Sequence, residues 1–225
     1  PWQTSWGVSS RMIGALVMTH SDDKGLVLPP TVAPIEVVLV PIFKDNNKDK
    51  VLTYTKDVYK QLKGAISRIK LDDRDFVSPG FKFNEWEKKG VPIRIEIGGR
   101  EIEKGIVVVV RRDLSEKREI KFGDLKKSVK DLLEEIQKNL YDKSKELLVS
   151  KTYRVENYEE FKKVFSGETG FVRAGWCGDE KCEEHIKYET KATTRCLPED
   201  GEGVVGKCIY CGKKSKDEWI FAKAY

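Results

Sequence analysis

With 225 residues, 35% of them charged, and a mean hydropathy of −0.51, the chain has room for one large or two small domains with real cores and is expected to be soluble. Its formal net charge of +5 is a mild basic excess, compatible with a polyanionic partner but not diagnostic of one, and no apolar run approaches the roughly 18 residues of a membrane helix. The 5 cysteines, an odd number and all late in the chain, argue against a disulfide framework and for a cytosolic metal site with one spare thiol.

The chain opens polar and aromatic, with no initiator Met and no small-residue cleavage site nearby, and Pro1 reads as a cut end. Ser9 and Ser10 can cap a helix from about Arg11 to Met18, with Met12, Ile13, Leu16 and Val17 apolar. Gly14 and Ala15 would let another backbone approach. SDDKG is a turn, and LVLPPTVAP reads as a strand running into a Pro-rich linker. Arg11 stands in an otherwise apolar helix. Such a charge must be paired or face a ligand, and the residues alone allow a structural ion pair as readily as a site.

From Ile35 the pattern changes. IEVVLVPI is a buried strand, followed by a polar loop, FKDNNKDKV. Thr55 to Lys70 reads helical, with Thr55 as N-cap and Val58, Leu62, Ile66 and Ile69 on one face. KLDDRDF is a short strand or turn. A loop with Pro79-Gly80 and Gly90 then carries Phe81, Phe83, Trp86, Glu85, Glu87, Lys82, Lys88 and Lys89. In PIRIEI, Ile93, Ile95 and Ile97 alternate with Arg94 and Glu96, so period two separates an apolar face from a charged one. Gly105–Val110 is a continuous β-branched run, as in a central strand covered on both sides. REIKF follows. Asp124 can cap a long helix with Leu125, Val129, Leu132, Ile136 and Leu140 inward; fewer than four clean heptads argue against a coiled coil. Strand–helix–strand order predicts a mixed sheet flanked by helices, an α/β domain. The aromatic, lysine and acid mixture before PIRIEI suits splayed single-stranded bases: rings stack, cations meet phosphate and carboxylates accept from guanine. A solvated hairpin with its aromatics in the core fits the same composition. For Glu96, pairing with an Arg or Lys of a neighbouring strand is the simpler role.

In the tail, Asn157 to Glu160 forms a capping-box variant before a short helix with Phe161, Val164 and Phe165 inward. FVRAGW reads as a strand. Cys177-x4-Cys182 then faces Cys208-x2-Cys211 across a long insert. Four thiolates suit Zn²⁺, and Gly212 relieves the CIYCG knuckle. The first half is looser than usual, so spacing alone also allows free thiols. Cys196 reads as a spare buried thiol. His185, three residues after Cys182, reads as an exposed helix residue, because four cysteines already close a tetrahedron. His20 is the only other histidine, and no Ser/His/Asp or Cys/His catalytic set has support.

QTSWGVSSRMIGALVMTHSDDKGLVLPPTVAP resembles the third signature motif of the prolyl-tRNA synthetases, a class II family, in their archaeal and eukaryotic form. RDFVSPGFKFNEWEKKGVPIRIEIGGRE resembles their anticodon-binding domain. ATTRC, the CxxC and the terminal FAKAY resemble their C-terminal zinc domain, and the three segments follow the family's order. The resemblance implies three parts: the end of a class II catalytic domain with its linker over 1–34, a mixed-sheet anticodon-binding α/β domain over 35–150, and a small α+β zinc-binding domain over 151–225. It implies a catalytic, ATP-binding role for Arg11, whose fixed cation would offset phosphate charge. Ser9 falls beside the nucleotide, and Ser5, Trp6 and Gly7 form the floor of a proline pocket. Glu87, Arg94, Arg100 and Glu101 match contacts to an anticodon whose second and third bases are both G, with Lys82, Lys88 and Lys89 serving phosphates. Cys177, Cys182, Cys208 and Cys211 match the ligands of a structural Zn²⁺, Cys196 a non-ligand position, and Tyr225 a chain end that reaches back towards the active site. The family joins proline to tRNA(Pro) with ATP and Mg²⁺, as a cytoplasmic homodimer with no membrane partner. The first two class II motifs lie upstream in the family and are absent here, so the chain alone is expected to be inactive. Two other readings are a non-catalytic RNA-binding module derived from a synthetase tail and a zinc-stabilised scaffold without tRNA affinity.

Overall fold

Alternating and consecutive β-branched residues build the sheet on which the first half of the chain rests. The structure, a computed structural model, describes residues 2–167, 170–203 and 205–223. It divides into two compact units, Pro1–Ser144 and Lys145–Tyr225. The first unit opens with α1 (Arg11–His20) and continues through β1 (Val37–Ile42), α2 (Lys48–Lys63), β2 (Ile69–Leu71), α3 (Pro79–Lys88), β3 (Ile93–Gly98), α4 (Gly99–Lys104), β4 (Ile106–Arg111) and β5 (Lys117–Lys121). The long helix α5 (Leu125–Ser150) follows.

The strands form one mixed sheet in the order β2-β1-β3-β4-β5. β1 runs parallel to β2 and β3, while β4 is antiparallel to both its neighbours. Period two divides β1 between two layers. Val37 and Leu39 join Ile93, Ile95, Ile97, Val107 and Val109 against α2 and α5. Val38 and Val40 pack on the other face against Trp86 of α3 and Val91. β4 lies inside the sheet but next to the edge strand β5, so β3 and not β4 is the central strand; Val107, Val109 and Val110 are buried and Val108 half-buried.

Several local expectations change. α2 begins at Lys48, inside the stretch read as a polar loop, and ends before Gly64. Val51, Thr55, Val58 and Leu62 form its buried stripe. Thr55 is therefore not a cap but a mid-helix residue, and its hydroxyl donates to Val51 O at 2.7 Å. Ile69 leaves the helix for β2. LVLPPTVAP forms no strand; Leu26 N–H donates to Lys88 O and the Pro29–Ala33 stretch turns on itself. Ser10 makes no side-chain cap at α1. The aromatic loop is the helix α3: Ser78 Oγ accepts from Phe81 N–H, and Pro79 sits in the first turn, where no amide partner is needed. Trp86 turns inward, and its Nε1–H donates to Asp72 Oδ2 at 2.7 Å. Lys82 is buried beside it and donates to Asp72 O, so it does not serve a phosphate. Burial lowers the Lys82 pKa.

The second unit holds β6 (Thr152–Arg154), α6 (Tyr158–Ser166), β7 (Phe171–Trp176), α7 (Glu180–Thr190), β8 (Ala192–Cys196), β9 (Gly206–Lys207), β10 (Lys214–Ser215) and β11 (Asp217–Lys223). Its sheet order is β6-β7-β11-β8, with β9 and β10 as a separate ribbon. Asn157 caps α6 by accepting from Glu160 N–H, while the Glu160 carboxylate accepts from Glu156 N–H one residue earlier than a full box requires. Phe161 and Phe165 meet Val172, Ile186 and Phe221 in the core. Phe161 and Phe221 pack edge-on at 5.2 Å. The apolar chain end thus has a local cause, because β11 lies inside its sheet and Phe221 is fully buried. Tyr225 and Ala224 lie outside the described residues.

Candidate nucleic-acid interface and metal centre

A cleft of about 170 Å³ opens where the last turn of α3, the start of β3 and the β4–β5 hairpin meet. α3 brings Glu87, β3 brings Arg94, and β5 brings Lys117. Ser115 in the hairpin turn has φ 57°, a left-handed conformation uncommon for a side-chain-bearing residue. Arg111 stiffens the hairpin by donating to both Asp113 oxygens at 3.0 and 2.8 Å and to Glu135 at 2.9 Å. Burial alone would raise the Asp113 pKa. The hydrogen bonds from Arg111 and Asn139 outweigh it and hold the carboxyl below its usual range.

The fourth wall comes from far away in sequence. Arg112 donates to both oxygens of Asp22, at 2.8 and 2.5 Å, and to Gly25 O and Glu87 O at 3.2 and 3.1 Å. It staples the segment after α1 to the end of α3. Gly25 has φ 135°, and a Cβ there would lie 2.5 Å from Lys88 Cα, so only glycine fits. Docked this way, Lys24 stands at the rim with Nζ 3.8 Å from Glu87 Oε1. The hydrogen bond from Arg112 is the main reason that the Asp22 carboxyl is lowered to about 2.

Inside the cleft, Arg94 is held by Glu96 and Phe83. Its Nε and Nη2 donate to Glu96 Oε1 at 3.1 and 2.9 Å. Its guanidinium lies 4.4 Å from the Phe83 ring centroid. Lys117 Nζ donates to the second Glu96 oxygen at 3.3 Å. Glu96 is buried and ion-paired as expected, but its partners are Arg94 on its own strand and Lys117 on β5, two strands away, not a residue of an adjacent strand.

In the second unit, Cys177 follows β7, Cys182 lies in α7, and Cys208 and Cys211 lie in the turn between β9 and β10. All four Sγ atoms lie within 4.8 Å of one another. Cys177 Sγ is 3.7 Å from that of Cys182 and 3.8 Å from that of Cys211. A tetrahedron with Zn–S bonds of about 2.3 Å has edges of about 3.8 Å, so the donor set fits zinc. Gly178 and Gly212 take φ of 81° and 72° in the two knuckles. Burial pushes the Cys177 and Cys182 thiols up, whereas the backbone hydrogen bond from Lys213 brings Cys211 down to about 7.

Residues 36–132 match the family model described as "Anticodon binding domain", and residues 158–225 match "Prolyl-tRNA synthetase, C-terminal". The chain is 48% identical over 225 residues to a proline–tRNA ligase of Alkaliphilus oremlandii, and 46% identical over 225 residues to proline–tRNA ligase 2 of Clostridioides difficile. It is 47% identical over 225 residues to a proline–tRNA ligase of Flavobacterium johnsoniae. The chain corresponds to the C-terminal portion of the prolyl-tRNA synthetase family. Each match covers 100% of this chain and 46% of the relative, so the chain spans about half the length of the curated relatives it matches.

For this synthetase portion, the expected anticodon residues fall into two pairs. Glu87 and Arg94 share the cleft. Arg100 and Glu101 lie in α4, beyond the far end of β3, about 13 Å along the strand from Arg94. There the Glu101 carboxylate crowds over Gly98, where a Cβ would meet Glu101 Oε2 at 2.7 Å. Lys88 and Lys89 are exposed, and Lys89 donates to Glu85 Oε1 at 2.6 Å. Ser5, Trp6, Gly7, Ser9 and Arg11 are all exposed, and α1 buries no residue. Among the described residues, Arg11 has no ion-pair partner. Cys196 is exposed, not buried, because it ends the edge strand β8. His185 is exposed as expected and stacks on Tyr210 at 5.3 Å. The sequence reading missed Lys24, Arg112 and Lys117. Their one local signal was charge beside turn residues.

Proposed function

We propose that this chain supplies the tRNA-reading part of a proline–tRNA ligase, which activates proline with ATP and Mg²⁺ and transfers it to tRNA(Pro). The observation that carries the proposal is the cleft pairing Glu87 with Arg94 inside the stretch matched by the anticodon-binding model. A carboxylate accepts from guanine N1–H and N2–H₂, while an arginine donates to O6 and N7, so the pair addresses two edges of one base. Arg100 and Glu101 repeat the same residue chemistry at the far end of β3, and two separated pairs suit the two guanines of the anticodon. Lys24, Lys88 and Lys89 meet phosphates, which fix position without reading sequence.

On this reading, residues 1–34 end the catalytic domain, 35–150 bind the anticodon and 151–225 form the zinc domain. Arg11 and Ser9 bind ATP, and Ser5, Trp6 and Gly7 line the proline pocket, together with motifs from the rest of the enzyme. Tyr225 ends near that active site. Cys177, Cys182, Cys208 and Cys211 hold one Zn²⁺ as a structural cross-link, with no open ligand position for catalysis. The whole enzyme works in the cytoplasm as a homodimer. The test is a filter-binding titration of the chain with two transcripts, one carrying G at the second and third anticodon positions and one carrying C there. Binding of the G-G transcript should be at least about 10-fold tighter, consistent with one good bidentate contact. Equal binding of both transcripts would reduce the chain to a sequence-blind RNA binder.

A further inference from the structure

We infer that Glu96 is a positioning residue for guanine recognition: it fixes Arg94 so that only the terminal edge of the guanidinium is offered to the base. An arginine has five N–H donors and can read guanine from its side edge, through Nε and one terminal nitrogen, or from its end, through both terminal nitrogens. In the cleft, Glu96 Oε1 takes Nε and Nη2, which are the side edge. The Phe83 carbonyl accepts a long bond from Nη1 at 3.5 Å, and the Phe83 ring covers one face at 4.4 Å. One donor on each terminal nitrogen is left, and Arg94 lines the cleft. Glu96 itself is buried and held at its other oxygen by Lys117, at 3.3 Å. The base-facing geometry is therefore set by residues that touch no base. This inference rests on the proposed reading of a guanine by Arg94.

An alternative role for Glu96 is purely structural, as a neutralising partner for Arg94 and Lys117. The two differ in what a neutral isostere does. Glu96→Gln keeps the volume and one acceptor but offers a donor where Arg94 or Lys117 now donates, so the guanidinium is freed to rotate. The experiment measures binding of the full chain to a tRNA transcript with the G-G anticodon and to transcripts with 7-deazaguanine at one G at a time. 7-Deazaguanine lacks the N7 acceptor. The chain with Glu96 should lose about 10-fold in affinity at one of the two positions, whereas Glu96→Gln should lose affinity for the normal transcript and most of that sensitivity. In an Arg94→Ala background, Glu96→Gln should have no further effect. Lys117→Met, at an exposed side chain, gives the same comparison where Glu96→Gln fails to fold, with a smaller loss in the same direction. If Glu96→Gln weakens all transcripts equally, or retains full sensitivity to 7-deazaguanine, Glu96 does not position Arg94. If Arg94→Ala itself shows no discrimination loss, the anticodon reading fails first and takes this inference with it.

Discussion

Arg112→Met removes the staple between the segment after α1 and the end of α3, and its cost can be worked from the contacts. The Arg112 side chain is 4% exposed, and it serves Asp22, Gly25 O and Glu87 O. Asp22 is 48% exposed and can rehydrate, so loss of that ion pair costs only about 1 kcal/mol. The two carbonyls sit at half-buried residues and each keeps a backbone donor, Asp22 N–H on Gly25 O and Gly90 N–H on Glu87 O, so neither is orphaned and each lost bond costs about 0.5–1 kcal/mol, the net worth of one hydrogen bond. Methionine fills most of the volume, so no large cavity term is added. The expected total is about 2–3 kcal/mol, read as a lower urea midpoint with an unchanged slope. The effect has a pH signature. Asp22 has its folded pKa depressed to about 2, so its contribution is fully present above the ordinary carboxylate value and is lost as pH falls through about 2. The gap between variant and parent should therefore narrow as pH falls from 5 to about 2, leaving the carbonyl part. A difference below about 0.5 kcal/mol at pH 7, or a gap that widens in acid, would refute the staple.

Three further outcomes follow from other parts of the molecule. Cys208→Ser should lower bound zinc to well under one equivalent by metal analysis and loosen the second unit, while Cys196→Ser should leave both unchanged. Phe221→Ala, at a fully buried ring, should destabilise by about 3–5 kcal/mol in calorimetry, showing that the apolar chain end serves its own core. Burial would raise the Asp72 pKa, but hydrogen bonds from Arg74 and Trp86 outweigh it and lower it to about 2. Its stabilisation of α3 is therefore present above the ordinary carboxylate value and lost as pH falls towards about 2. Asp72→Asn should flatten the acid limb of the stability curve followed by urea unfolding.

The parts of the fold set by short-range periodicity were legible in the sequence. Ile93, Ile95 and Ile97 announced β3, and the spacing of Leu125, Val129, Leu132, Ile136 and Leu140 announced α5. The start of α2 was hidden because its stripe contains Thr55 and is interleaved with charges, which reads as a loop when only strong apolar residues are followed. α3 was hidden by Pro79-Gly80, a turn signal that also suits a first helical turn once Ser78 caps it. The cysteine spacing was visible, while the exposure of Cys196 depended on β8 lying at a sheet edge. At the cleft, Glu87 and Arg94 came from family resemblance. Arg112, Asp22 and Lys24 could not be assigned to the cleft, because their contact spans about 90 residues and has no local pattern.

The most direct test of the account is a photo-crosslink from 6-thioguanosine placed at the second or third anticodon position of the tRNA and mapped on the chain. One labelled guanine should attach to the cleft, at residues 83–96 or 112–117, and the other near the start of α4, at residues 98–104. Crosslinks confined to the second unit, or scattered over exposed lysines without dependence on the labelled position, would contradict the assignment of the cleft as a guanine-reading site.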